Sequence, residues 1–97
     1  MIQANEVEYW ASVGNLAEVK KAVELGHDVN AAGDGGYTAL HAAAENNHVS
    51  VLIFLLECGA DVEAKVESGE TALDLAVVSG SKEAEKILRR AKGKKGE

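Results

Sequence analysis

Shifted against itself by 33 residues, the chain matches itself. This constrains the fold more than any local pattern, because a period of that length marks a stack of small units in place of a single globule. Gly36, Thr38, Ala39 and Leu40 fall on Gly69, Thr71, Ala72 and Leu73, and Ala43 falls on Ala76. One step earlier, Gly26, Asp28, Val29 and Ala31 fall on Gly59, Asp61, Val62 and Ala64. Gly14 falls on Asn47, which falls on Gly80. The register defines one domain over 1–97, made of units 1–33, 34–66 and 67–92 with a basic tail 93–97.

Each match has a local cause. Gly14, Asn47 and Gly80 are residue types that tolerate the left-handed conformation in which helices end. Thr38 and Thr71 are N-caps, their hydroxyls placed to accept from a free backbone N–H of the first turn. Asn5 with Glu8, and Asn15 with Glu18, have capping-box spacing. Gly26 and Gly59 close the second helices of their units. Six helices are predicted, over 6–13, 16–25, 39–46, 49–58, 72–79 and 82–91. None is long enough to persist alone in water, so each must bury an apolar face on a neighbour. Val19, Val23, Leu52, Leu55, Leu56, Ile87 and Leu88 recur at helical spacing and form the expected seam. The small Ala11, Ala42, Ala43, Ala44 and Ala76 let the first helices approach closely. The expectation is an all-α solenoid of helix–turn–helix units joined by hairpin-like loops.

The segment Gly36-Tyr37-Thr38-Ala39-Leu40-His41-Ala42-Ala43-Ala44 resembles the ankyrin G-x-T-P-L-H-x-A-A signature. Leu55-Leu56-Glu57-Cys58-Gly59-Ala60-Asp61-Val62 resembles its L-L-x-x-G-A-D-V ending. The middle unit matches almost throughout, the third through Ala76, and the first only in its second half. Ala39 and Ala72 replace the usual proline, and Asp74 replaces the usual histidine. Neither change breaks a helix start, since alanine is a good helix former and a carboxylate suits a first turn. The resemblance implies an ankyrin stack with atypical first and last repeats, and it implies a structural bond network for His41.

The charge distribution narrows the partners. Residues 1–81 hold 13 acids against three bases, a balance of −10, whereas 82–97 hold seven bases against three acids. Nucleic-acid binders need a basic footprint, which the body lacks, so no nucleic acid is expected. The basic residues Lys86, Arg89, Arg90, Lys92, Lys94 and Lys95 fall at and beyond a helix C-terminus, where cations complement the dipole. No apolar run reaches transmembrane length, and Met1–Glu6 lacks the basic and apolar segments of a secretory leader. Cys58, the lone cysteine, excludes an intrachain disulfide and suits a reducing compartment. A cytoplasmic monomer that binds no membrane is expected.

Catalytic readings find little support. No two of His27, His41 and His48 share a predicted helix, so structural roles are expected and no metal or cofactor. Cys58 sits near a helix C-terminus, whose dipole disfavours a thiolate. Gly33-Asp34-Gly35-Gly36 lacks the lysine of a phosphate loop and carries an anion, so it reads as the loop between units. Trp10, at the register position of Ala43 and Ala76, is expected to shield the open end of the first unit, with partner contact as the alternative.

A non-catalytic protein–protein interaction module is therefore expected. As the resemblance implies, loop tips and first helices present one concave surface, here Asp34, Tyr37, Glu45, Asn46, Lys65, Glu67, Ser68, Glu70, Val78 and Ser79. Tyr37 is expected to project outward, and the surplus of acids calls for a partner with a basic contact surface. The competing readings are an engineered or excised scaffold without a native partner, and a small inhibitor of an enzyme.

Overall fold

The glycine and threonine punctuation is realised in the structure, a computed structural model that describes residues 6–95 and the side chains of residues 6–92. The helices are α1 Glu6–Val13, α2 Leu16–Glu24, α3 Ala39–Glu45, α4 Val49–Glu57, α5 Ala72–Ser79 and α6 Lys82–Lys95. A 3-10 turn at Asp34–Gly36 and an isolated bridge between Ala32 and Thr38 shape the first inter-unit loop. Gly14, Asn47 and Gly80 all adopt positive φ where the first helix of each unit ends. Asn15 accepts from the Glu18 N–H at 3.1 Å, as its spacing predicts. Asn5, the expected cap of α1, lies outside the described residues, as do the side chains of 93–97.

One boundary differs from expectation by more than a residue. The sixth helix, predicted to stop near residue 91, runs to Lys95. Gly26 and Gly59 end α2 and α4 in left-handed conformations, but their counterpart is Lys92. With a good helix former in that place, nothing turns the chain.

The helices form two layers. In one, α1 packs on α3 and α3 on α5; in the other, α2, α4 and α6 follow in the same order. The molecule measures 36 × 25 × 24 Å along its principal axes. Ala11, Ala42, Ala43, Ala44 and Ala76 are fully buried, which lets the first-helix backbones lie close together. Val19, Leu52, Leu55 and Leu88 form the buried seam, while Val23, Leu56 and Ile87, expected with them, are only partly covered. Trp10 is half-buried against the end of the core, with Tyr9 edge-on to it at 4.9 Å between ring centroids.

Register-matched hydrogen bonds tie unit to unit. His48 Nε2 donates to the Ser12 carbonyl at 3.1 Å, and Ser81, at the same place in the next unit, donates to the Glu45 carbonyl at 3.1 Å. Asn30 bridges two loops, accepting from the Asp61 N–H at 2.8 Å and donating to the Gly59 carbonyl at 3.3 Å. At the outer face of the third unit, Glu85 and Arg89 replace the buried Val19 and the half-buried Val23 and pair with each other at 2.9 Å.

Candidate functional site

Two loops of the same design build the site. Each closes on itself: the Gly33 N–H donates to the Tyr37 carbonyl at 2.8 Å, and the Val66 N–H to the Glu70 carbonyl at 2.9 Å. The loops then dock, the Glu67 N–H donating to the Gly35 carbonyl at 2.6 Å. Glycine is required at position 36. Its φ is +79°, and a Cβ there would stand 3.0 Å from the Lys65 carbonyl oxygen. The close approach of the two loops thus rests on a missing side chain.

Between these loops and the first helices lies a concavity of about 670 Å³. Its apolar surface comes from Tyr37, Val66 and Leu75, and its acids are Glu8 on α1, Asp34, Glu45 at the end of α3, and Glu67. Burial, and secondarily the Asp34 charge, hold the Glu8 carboxyl above the usual carboxylate range. That is the expected response of a partly buried acid with a second acid nearby.

Tyr37 does not project outward. Its hydroxyl donates to the Glu45 carboxylate eight residues on, its ring stacks on His41 at 5.8 Å, and it packs against the core. Burial, and then the bond and charge of Glu45, push the phenol above its ordinary pKa, so it remains a donor throughout the physiological range. One flank of a rigid ring faces the concavity. His41, directly beneath, is structural. Its Nδ1 accepts from the Thr38 N–H at 3.1 Å, which leaves Nε2 to donate to the Ala64 carbonyl at 3.1 Å. In the third unit Asp74 performs the same capping, accepting from the Thr71 N–H at 3.0 Å.

Of the sequence-predicted residues, the concavity gathers Asp34, Tyr37, Glu45, Glu67 and Ser68. Lys65, Asn46 and Ser79 are exposed outside its lining, and Asn46 turns back to donate to the Ala42 carbonyl at 3.0 Å. Glu70 takes the Ser68 hydroxyl, also outside the lining. Val78 is 79% exposed on α5, the most solvent-open large apolar side chain of the described residues. Glu8 and Leu75 line the wall without having been singled out. The register does not place them there, since Glu8 falls on His41 and Leu75 on Ala42, both buried.

A family model described as Ankyrin repeats (3 copies) matches residues 8–96. The chain belongs to the ankyrin repeat family. Ankyrin repeat domain-containing protein 40 of Mus musculus is 42% identical over 66 residues, covering 67% of this chain and 18% of that protein. The NAD-capped RNA hydrolase NUDT12 of Homo sapiens is 43% identical over 67 residues, 69% of this chain and 14% of that one. The palmitoyltransferase akr1 of Schizosaccharomyces pombe is 51% identical over 55 residues, 56% of this chain and 9% of that one. This ankyrin chain thus spans less than a fifth of each of these relatives. Ankyrin repeats are in general non-catalytic modules for protein–protein interaction. No helix among the described residues is long and apolar enough to cross a membrane.

Proposed function

We propose that this ankyrin stack is a non-catalytic binding module that receives a basic segment of a partner protein on its concave side. One observation carries the reading: the fold brings Asp34, Tyr37, Glu45 and Glu67, from two loops and a helix, to one concavity, and adds Glu8 to them. The apolar ground of Tyr37, Val66 and Leu75 supplies area to bury, and the surrounding carboxylates supply steering and selectivity. The basic surface on the partner, the cytoplasmic setting and the monomeric state belong to this reading. So does the division into an atypical first unit, a middle repeat and an atypical third unit with a basic tail. Asn46, Lys65, Glu70, Val78 and Ser79 are its periphery.

The test is affinity capture on the whole chain from its source cell, followed by mass spectrometry, with a Glu45→Lys, Glu67→Lys variant run alongside. A protein recovered by the parent and lost with the variant supports the reading. A protein retained equally by both refutes the concave site.

A further inference from the structure

The two repeat interfaces provide a comparison within one molecule. In the layer of second helices, α2 meets α4 and α4 meets α6. At the first pair, Phe54 of α4 lies beneath Lys20 of α2, whose ammonium is 5.7 Å from the ring centroid. At the second pair the register substitutes Ile87 for Phe54, Ile53 for Lys20 and Ala60 for His27. A ring, a cation and an imidazole are replaced by two branched aliphatic side chains and a methyl group. An open groove of about 650 Å³ is left between α4 and α6, with Ile53 41% exposed at its edge.

The acids have not changed with the cover. Glu57 and Asp61 in this groove occupy the register places of Glu24 and Asp28 in the first unit. The first unit carries Lys20 one helical turn before Glu24 and the second carries Ile53 there, so a cation of this chain stands beside the acids at the first interface and an aliphatic side chain at the second. Arg90 stands on the α6 wall, so the groove is acidic on one side and basic on the other.

We infer that this groove is a second docking site, and that its occupant is an aromatic side chain carried beside a lysine or arginine on a partner polypeptide. At the equivalent interface a ring with a cation over it stands in the register places of Ile87 and Ile53. Apolar walls formed by Leu56, Val62 and Ile87 suit the ring, which gains the usual burial of an aromatic anchor. The cation complements Glu57 and Asp61, and cation–ring association pre-forms the pair. The site lies apart from the concavity, so the stack would hold two segments at once.

The test is a titration of the isotope-labelled full chain, followed by amide chemical shifts, with three blocked tetrapeptides: Gly-Phe-Lys-Gly, Gly-Phe-Glu-Gly and Gly-Ala-Lys-Gly. The first should move Ile53, Val62 and Ile87 in a saturable manner. The glutamate peptide should bind about threefold more weakly, the size of one exposed ion-pair contribution, and the alanine peptide should produce no saturation. Ile53→Lys with Ile87→Phe rebuilds the cover of the first interface and should abolish the response. If that variant does not give a folded spectrum, Ala60→His, which narrows the groove alone, should weaken it. Absent saturation, equal affinity for the glutamate peptide, shifts confined to Tyr37 and Glu67, or indifference to the variants would each overturn the proposal. None of these results would count against the concave site.

Discussion

The ring of His48 occupies the space that a side chain on Gly14 would need. A Cβ at Gly14 would come within 2.6 Å of His48 Nδ1, while the same ring donates through Nε2 to the Ser12 carbonyl. Gly80 has the same left-handed backbone, φ +73°, but nothing within 4 Å of its Cβ position. Asn47, at φ 57°, shows that asparagine accepts this conformation in this register.

Backbone preference and steric space therefore separate into two measurable effects. Gly80→Asn should leave stability within about 0.5 kcal/mol of the parent, because asparagine visits the left-handed region readily and the site is open. Gly14→Asn should cost about 2 kcal/mol or more, since it displaces His48 and its inter-unit bond. Urea unfolding of both variants checks this. Equal costs would mean that the backbone alone matters.

A second pair of register-matched positions predicts an asymmetric exchange. His41 is buried and bonded at both ring nitrogens, whereas Asp74 caps its helix from an exposed position. Asp74→His should be tolerated within about 0.5 kcal/mol, because the ring can accept from Thr71 as His41 accepts from Thr38. His41→Asp should cost about 1–3 kcal/mol, having lost a donor to the Ala64 carbonyl and buried a carboxylate. Thermal melts of the two variants compare them directly.

His41 also sets a pH dependence. Burial lowers its pKa below the ordinary histidine value, so the folded chain favours the neutral ring. The stabilisation is fully present above the unfolded value of about 6.5 and is lost as pH falls through the lower folded value. Melting temperature should therefore decline as pH drops from neutrality towards 5.5, in step with the loss of the Thr38 N–H bond to Nδ1. His41→Gln keeps an acceptor at capping-box spacing without titrating, so its decline should be shallower. Parallel curves for parent and variant would assign the effect to other groups.

Cooperativity follows from the layered core. Leu52 and Leu55 are fully buried in the middle unit, against helices of both neighbours. Truncating either to alanine should cost about 2–5 kcal/mol, a large part of what a small domain has. Because units in a short stack depend on their neighbours, all helices should melt together. Hydrogen exchange showing a protected α5–α6 pair after the loss of α1 and α2 protection would contradict this.

Much of the fold was legible in the sequence because its determinants are local. Thr38 with His41, Thr71 with Asp74, and Asn15 with Glu18 are contacts three residues apart, and a threonine or asparagine at a helix start declares its role. The orientation of Tyr37 was not legible in this way. It depends on Glu45, eight residues on, and glycines on either side of a turn do not reveal which way a ring will fold. The bonds of Asn30 to Gly59 and Asp61 join different units and appear only when loops dock. The length of α6 is legible at Lys92, which stands where glycine ends α2 and α4.

The outer face of the third unit yields a solubility prediction. Glu85 and Arg89 correspond to buried Val19 and Leu52, and to half-buried Val23 and Leu56, in the preceding units. Their exposed pair adds little to stability but keeps an apolar strip from forming beside the exposed Val77. Glu85→Leu with Arg89→Leu should therefore leave the melting temperature nearly unchanged and promote self-association. Light scattering that finds the same mass as the parent would oppose this.

The final prediction concerns recognition at the concavity, and it depends on how Tyr37 is held. Tyr37→Ala would remove a ring that stacks on His41 and packs on the core, so any lost binding would be mixed with lost stability. Tyr37→Phe keeps the ring and frees Glu45 from the hydroxyl, leaving that carboxylate more available to a basic partner. Affinity for a captured partner should then be retained or slightly raised. Glu67→Lys reverses a charge in the concavity itself, whereas Glu70 stands outside the lining and accepts from Ser68 at its edge. Glu67→Lys should slow association and flatten its salt dependence, and Glu70→Lys should do so less, since steering weakens with distance and screening. Rates measured by surface plasmon resonance at two salt concentrations decide between them. If Glu70→Lys had the larger effect, the partner would cross the loop tips and not enter the concavity.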